Sequence, residues 1–222
     1  MIVAEQKPLE EILRTLEGSQ KVLIAACGTC VTVCLAGGEK EAMTLSSLLE
    51  LKGKENGSGW ETSVVTPKRQ CDVEFLDEIA DAVETADVVL SMACGAGVQF
   101  MAERFGSKLV LPAVNTKFIG VARDIGYWTE MCQGCGECVL EKTGGICPVS
   151  RCSKSHFNGP CGGSANGKCE INPDTDCGWQ LIYDKLKELG RLDKLTEIIE
   201  PKDWSKSRDG GPRKVTKMDV VV

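Results

Sequence analysis

The sequence has little of what acid–base chemistry uses. Of its 222 residues one is a histidine, His156, and no pair of carboxylates stands out as an acid–base set. Hydrolytic triads and proton-shuttling sites are therefore not expected. No Walker phosphate loop is present. Gly95-Ala96-Gly97 begins like a dinucleotide fingerprint, but Phe100 stands where the third glycine belongs, and no acidic residue closes a second strand about twenty residues further on. Excess positive charge is lacking too: the net charge is −6 and the pI near 5.1, which argues against nucleic acid or an anionic membrane as the main partner. No stretch approaches the length of a membrane span, and the start, MIVAEQKPLEEIL, lacks the basic region and apolar run of a signal peptide. Cytoplasm is the expected compartment.

What the sequence has in abundance is cysteine, thirteen in all. In a reducing compartment, many closely spaced thiols indicate metal or redox chemistry rather than a disulfide framework, and the odd count fits a disulfide scaffold poorly. Eight of them fall between Cys132 and Cys177, and the other five are spread over the rest of the chain.

The apolar content of 42% and charged content of 26% are those of a globular chain. Residues 8–17 read as an amphipathic helix with Pro8 at its start and Gly18 closing it. Short apolar runs at 22–26, 63–65, 88–92 and 109–111 read as buried strands. They alternate with helical patterns at 39–51 (Leu45, Leu48 and Leu49 inward), 73–85 (Asp72 as N-cap) and 96–105. The expected fold is α/β: a parallel, Rossmann- or flavodoxin-like sheet with helices on both faces over residues 1–126. An irregular cysteine-rich module follows at 127–178, too poor in apolar residues to build its own core and so dependent on metal for its order. C-terminal helices at about 179–189 and 192–199 come next. A basic tail from Lys202, ending in Val220-Val221-Val222, is expected either to be disordered or to order on a partner.

Cys27, Cys30 and Cys34 directly follow the first parallel strand, and Cys94 follows the third. In doubly wound sheets such loops converge at the ligand-binding edge. These four thiols suit a [4Fe–4S] cluster, which takes four thiolates. The alternative is that they are small buried hydrophobes. Cys132, Cys135 and Cys138, then Cys147-Pro148, resemble the bacterial ferredoxin run with a longer gap before the last cysteine. Cys152, Cys161, Cys169 and Cys177 are more widely spaced, and a zinc site is nearly as good a reading there as a second cluster. His156 lies among them as a possible ligand. Cys71 is left over and reads as an ordinary loop or core thiol.

Several segments carry a resemblance: Gly126-Tyr127-Trp128-Thr129-Glu130-Met131-Cys132-Gln133-Gly134-Cys135-Gly136-Glu137-Cys138, Thr143-Gly144-Gly145-Ile146-Cys147-Pro148, Asn158-Gly159-Pro160-Cys161-Gly162-Gly163, Gly167-Lys168-Cys169-Glu170 and Asp176-Cys177-Gly178-Trp179. Together they resemble the methylenetetrahydrofolate reductase C-terminal family, in particular the small MetV-type subunit of bacterial and acetogen reductases. The resemblance implies a subunit that carries metal clusters, and the twelve thiols placed above give two or three [4Fe–4S] clusters, with one zinc site as an option. It would bind a flavin-containing TIM-barrel catalytic subunit and pass electrons toward its flavin. FMN and folate would then belong to that partner, and a further subunit or a ferredoxin would supply the electrons. Two other readings stay open at this stage. One is a zinc-stabilised scaffold that carries no electrons; the other is an enzyme with an open iron position near Cys30 and Cys94.

Overall fold

In the computed structural model the chain opens with strand β1 (Ile2–Gln6), helix α1 (Leu9–Thr15), strand β2 (Lys21–Ala25) and a single helical turn, α2 (Cys30–Val33). Helix α3 (Glu39–Asn56), strand β3 (Glu61–Val65), helices α4 (Val73–Asp77) and α5 (Ala80–Thr85), and strand β4 (Val88–Ser91) follow. Then come helix α6 (Gly95–Arg104) and strands β5 (Leu109–Pro112), β6 (Val114–Asp124) and β7 (Tyr127–Cys132). The short helix α7 (Pro148–Arg151) and the longer α8 (Gly178–Glu188) complete the regular elements, apart from 3-10 turns. The structure describes residues 1–217. They divide between two compact units, one of residues 1–129 and one of the described residues from 130 on.

In the first unit the four expected strands form a parallel sheet in the order β3-β2-β4-β5. Its central strands are buried on both faces, which is why they read as unbroken apolar runs. Val22, Ile24, Val88 and Leu90 pack with Leu16, Leu45 and Leu49 of the α1 and α3 side. Leu23, Ala25 and Val89 pack with Leu76, Val83, Met101 and Phe105 of the α4–α6 side. Helix α3 starts with the Gly38 N–H donating to the Glu41 carboxylate at 3.0 Å, and it ends at Gly57 in the left-handed region, φ 74°.

The details depart from expectation in four places. Helix α3 runs past residue 51 to Asn56, and Leu48 faces outward at 40% exposure while Leu45 and Leu49 are buried. The 73–85 pattern is two helices, because the Ile79 N–H closes a tighter turn onto the Leu76 carbonyl. That break keeps Leu76, Ile79 and Val83 together in the core. Asp72 makes no side-chain capping bond. A second sheet was not anticipated: β1, β6 and β7 form a separate three-stranded sheet, with β1 antiparallel to β6 and Gln6 opposite Val114.

The second unit has little regular structure. Its buried apolar cluster is Cys177, Trp179, Ile182 and Leu186, with Ile146 and Cys152 against it. The expected 192–199 helix is a 3-10 turn, Leu192–Thr196, followed by buried Ile199. Asn158 holds Ile199 at both backbone groups: its amide donates to the Ile199 carbonyl at 2.9 Å and its oxygen accepts the Ile199 N–H at 2.7 Å. The unusual Asn-Gly-Pro-Cys segment thus has a structural use. Residues 202–213 contain two 3-10 turns and lie against the unit's own loops, as described below. The last part of the expected tail, residues 218–222, lies outside the described residues. Among the described residues no helix is long and apolar enough to cross a membrane.

Candidate metal centres

Strands β2, β3 and β4 end flush, with Ala25 opposite both Val65 and Ser91. Because they are parallel, the loops that leave them start from one edge of the sheet. Those loops carry Cys27 and Cys30 after β2, Cys71 after β3, and Cys94 after β4. The buried side chain of Gln70 joins them. Its amide donates to the carbonyls of Ala25 and Ala26, each at 2.8 Å, and its oxygen accepts the Ser91 hydroxyl at 2.6 Å. The Gly28 N–H donates to the Pro67 carbonyl at 3.1 Å, and a Cβ at Gly28 would stand 3.3 Å from the Lys68 oxygen. A Cβ at Gly97 would stand 2.9 Å from the Gln70 Cβ. Glycine at these positions is what lets the loops close on one another.

Cys94 is the N-terminal cap residue of α6, and the Thr116 hydroxyl accepts the Gly95 N–H at 2.8 Å. Cys27 is buried, Cys30 and Cys94 are half-buried, and Cys71 is exposed at the residue level. Partial burial of its sulfur nevertheless pushes the Cys71 thiol up, and the negative charges of Cys27 and Cys94 push it the same way. The residue left over in the sequence thus lies within electrostatic reach of two of the sheet-edge thiols. What hid it was its position: it follows β3 at a greater distance than its neighbours follow β2 and β4, and it belongs to no short cysteine motif.

Cys34 is placed differently. Its sulfur accepts the Ala4 N–H at 3.4 Å, and its thiol points at the carbonyls of Ala4 and Val31, each at 3.6 Å. It ties the end of α2 to β1. Burial pushes its thiol up, against the thiolate form, outweighing the backbone hydrogen bonds that favour it. Spacing in the sequence groups Cys34 with Cys27 and Cys30, but spacing carries no information about β1.

In the second unit, Cys132 ends β7, and Cys135 and Cys138 lie on the loop that follows it. The Gly134 N–H donates to the Cys132 sulfur at 3.3 Å, and the Cys135 thiol points at the Glu137 carbonyl at 3.7 Å. The C-terminal arm clamps this loop. Lys202, its side chain almost fully buried, donates to the Glu137 carbonyl at 2.6 Å, Lys206 pairs with the Glu137 carboxylate at 2.9 Å, and Arg213 donates to the Gly134 carbonyl at 2.5 Å. The hydrogen bond from Lys206, then its charge, holds the Glu137 carboxyl below its ordinary value.

Cys147 and Cys152 flank α7, whose Ser150 hydroxyl donates to the Met131 carbonyl at 2.8 Å. A Cβ at Gly178 would stand 2.6 Å from the Arg151 carbonyl oxygen, so the Cys177 end of α8 passes close to Cys152. Cys169 contacts the Ser153 hydroxyl at 3.4 Å, and that hydroxyl is the main reason its thiol is held low. The Cys177 N–H donates to the Gly167 carbonyl at 2.8 Å, which fixes the 167–177 loop. Cys161 sits in the turn before that loop, its carbonyl accepting the Ser164 N–H at 3.3 Å. His156 contributes its carbonyl, which accepts the Trp179 indole N–H at 2.7 Å.

None of the thirteen cysteines is in a disulfide. Among the described residues, no three His, Cys, Asp or Glu side chains converge closely enough to hold a metal ion. A four-iron cluster places its thiolates on four different iron atoms, so they stand farther apart than thiolates sharing one ion. The donor chemistry, soft thiols on loops with backbone N–H groups turned toward sulfur, suits such a cluster.

Residues 111–205 match the family model described as methylene-tetrahydrofolate reductase C terminal. The match covers less than half of the chain, takes in all eight cysteines of the second unit and includes none of the first unit's five. No curated protein and no solved structure matches the chain.

Proposed function

We propose that the chain is an iron–sulfur, electron-carrying subunit of a methylenetetrahydrofolate reductase, comparable to the small MetV-type subunit. Its role is to deliver electrons to the flavin of a separate TIM-barrel catalytic subunit. One observation carries this reading: the family match over residues 111–205 coincides with the stretch that holds Cys132, Cys135, Cys138, Cys147, Cys152, Cys161, Cys169 and Cys177. Those eight thiols would hold the second unit's centres, and the sheet-edge thiols of the first unit would hold another. Bound iron–sulfur clusters supply one-electron redox chemistry.

The chain's own residues do the rest. The Gly134 N–H at the Cys132 sulfur and the Ser153 hydroxyl at the Cys169 sulfur stabilise thiolate charge, and such contacts tune a ligand's donor strength. Lys202, Lys206 and Arg213 hold the Cys132–Cys138 loop in one shape. The scarcity of acid–base residues agrees with folate chemistry taking place on the partner. A further subunit or a ferredoxin would supply the electrons, and the complex would work in the cytoplasm.

The test is functional. The flavin-containing reductase subunit is co-purified with the chain without oxygen, and methyltetrahydrofolate is oxidised with a viologen dye as final acceptor. The complex should reduce the dye at least tenfold faster than the flavoprotein alone. Equal rates with and without the chain contradict the proposal.

A further inference from the structure

We propose that the thiol centre at the edge of the parallel sheet is built from Cys27, Cys30, Cys71 and Cys94, and that Cys34 is a structural thiol outside it. The inference rests on the iron–sulfur reading only for the identity of the metal. The grouping itself comes from the fold.

Three adjacent parallel strands end flush, and each sends one cysteine-bearing loop out from the same edge. Gln70, the residue before Cys71, is fully buried and spends its whole side-chain amide on the neighbouring loops: two carbonyls at the end of β2 and the Ser91 hydroxyl at the end of β4. The Cys71 loop is therefore fixed to both loops that carry the other thiols. Two close approaches draw the three loops together from either side: Gly97 to Gln70, where an added Cβ would stand 2.9 Å from the Gln70 Cβ, and Gly28 to Lys68, where it would stand 3.3 Å from the Lys68 oxygen. Cys71 itself is exposed.

Charge agrees with this assignment. Four thiolates around a metal centre carry net negative charge, and Lys68 and Arg69 stand three and two residues before Cys71 in the same loop, Arg69 also pairing with Asp72 at 3.8 Å. Both are held over the Phe75 ring, at 5.5 Å and 5.3 Å. Cys34 has no such setting. Its sulfur is committed to the backbone of Ala4 in the other sheet, and the residue is buried, at 5% exposure. A thiol that both accepts and donates a backbone hydrogen bond in an apolar core is satisfied as it stands.

Two variants of the full chain, Cys71→Ser and Cys34→Ser, purified without oxygen, separate the assignments. Bound metal is counted by elemental analysis and folding is followed by circular dichroism. Cys71→Ser should lose the metal of one centre while keeping the rest, and Cys34→Ser should keep the wild-type metal content. Retention in Cys71→Ser together with loss in Cys34→Ser overturns the grouping.

Should the metal be zinc in place of iron, the iron–sulfur proposal fails, yet the same two variants still decide which thiols belong together. A second measurement needs no metal. The stripped wild-type chain is treated with dibromobimane, which bridges neighbouring thiols, and its peptides are mapped. Bridges joining Cys71 to Cys27 or Cys94 are expected. A Cys71 that reacts only singly overturns the inference, and this map also decides the case in which both variants lose metal.

Discussion

Gln70 shows how much of the candidate site depends on a residue with no chemistry of its own. Its amide satisfies the carbonyls of Ala25 and Ala26 and takes the Ser91 hydroxyl, all in a region without access to water. Replacing it by leucine of similar size removes the donor to the Ala26 carbonyl and the acceptor of the Ser91 hydroxyl, while the Ala25 carbonyl keeps the Met92 N–H at 2.8 Å. Gln70→Leu should cost about 2–4 kcal/mol of stability, measured by urea unfolding. A loss below about 0.5 kcal/mol would show that the bridge matters little.

Asp87 offers a pH test at the same scale. The backbone N–H of Lys21 first, then that of Gln20, holds its carboxyl below the ordinary carboxylate value. With the native value depressed, the stabilisation is complete above the unfolded value and is lost as pH falls through the native one. Asp87→Asn should therefore flatten part of the acid limb of a stability–pH curve. An unchanged limb contradicts this. Neither residue was legible in the sequence. Gln70 precedes an isolated cysteine, and Asp87 reads as a loop acid, because both act through long-range backbone contacts that no local pattern records.

Among the elements, the parallel sheet was legible and its antiparallel neighbour was not, for one physical reason. Strands β2 and β4 are covered on both faces and read as continuous apolar runs. Strand β6 is largely exposed, with polar residues scattered along VNTKFIGVARD, so neither a buried run nor a clean alternation marks it. Helix α3 hid its true end because Gly53 looks like a breaker. In the fold Gly53 is buried, and a Cβ there would stand 3.0 Å from the Trp60 backbone nitrogen, so the helix runs on to Asn56 with the chain packed against it.

The cysteine loops were legible as motifs, but cysteine spacing did not show that Cys34 packs against β1 or that the loop after β3 brings Cys71 to the sheet edge. Helix α8 carries a direct test of the second unit's core. Ile182 is fully buried in a cluster with few members. Ile182→Ala should cost about 2–4 kcal/mol, and hydrogen exchange should show the loss within residues 130–217. Loosening of residues 1–129 in equal measure would contradict that assignment.

For the whole molecule, the two units differ in what holds them together. The first has apolar layers on both sides of a sheet. The second has one small apolar cluster for its stretch of the chain, eight thiols, and an arm that pins the cysteine loop by three cations. If metal supplies the missing order, a strong chelator should raise hydrogen exchange at least tenfold across residues 130–200 and much less across 20–112. Equal effects on both would mean that the second unit stands without metal.

The central claim is that this order comes from iron–sulfur clusters that carry electrons. Its most direct test is the iron and acid-labile sulfide content of the chain purified without oxygen. The account predicts iron and sulfide in equal amounts, on the order of eight to twelve of each per chain for two or three four-iron clusters. Zinc without sulfide, or thiols without metal, would contradict it.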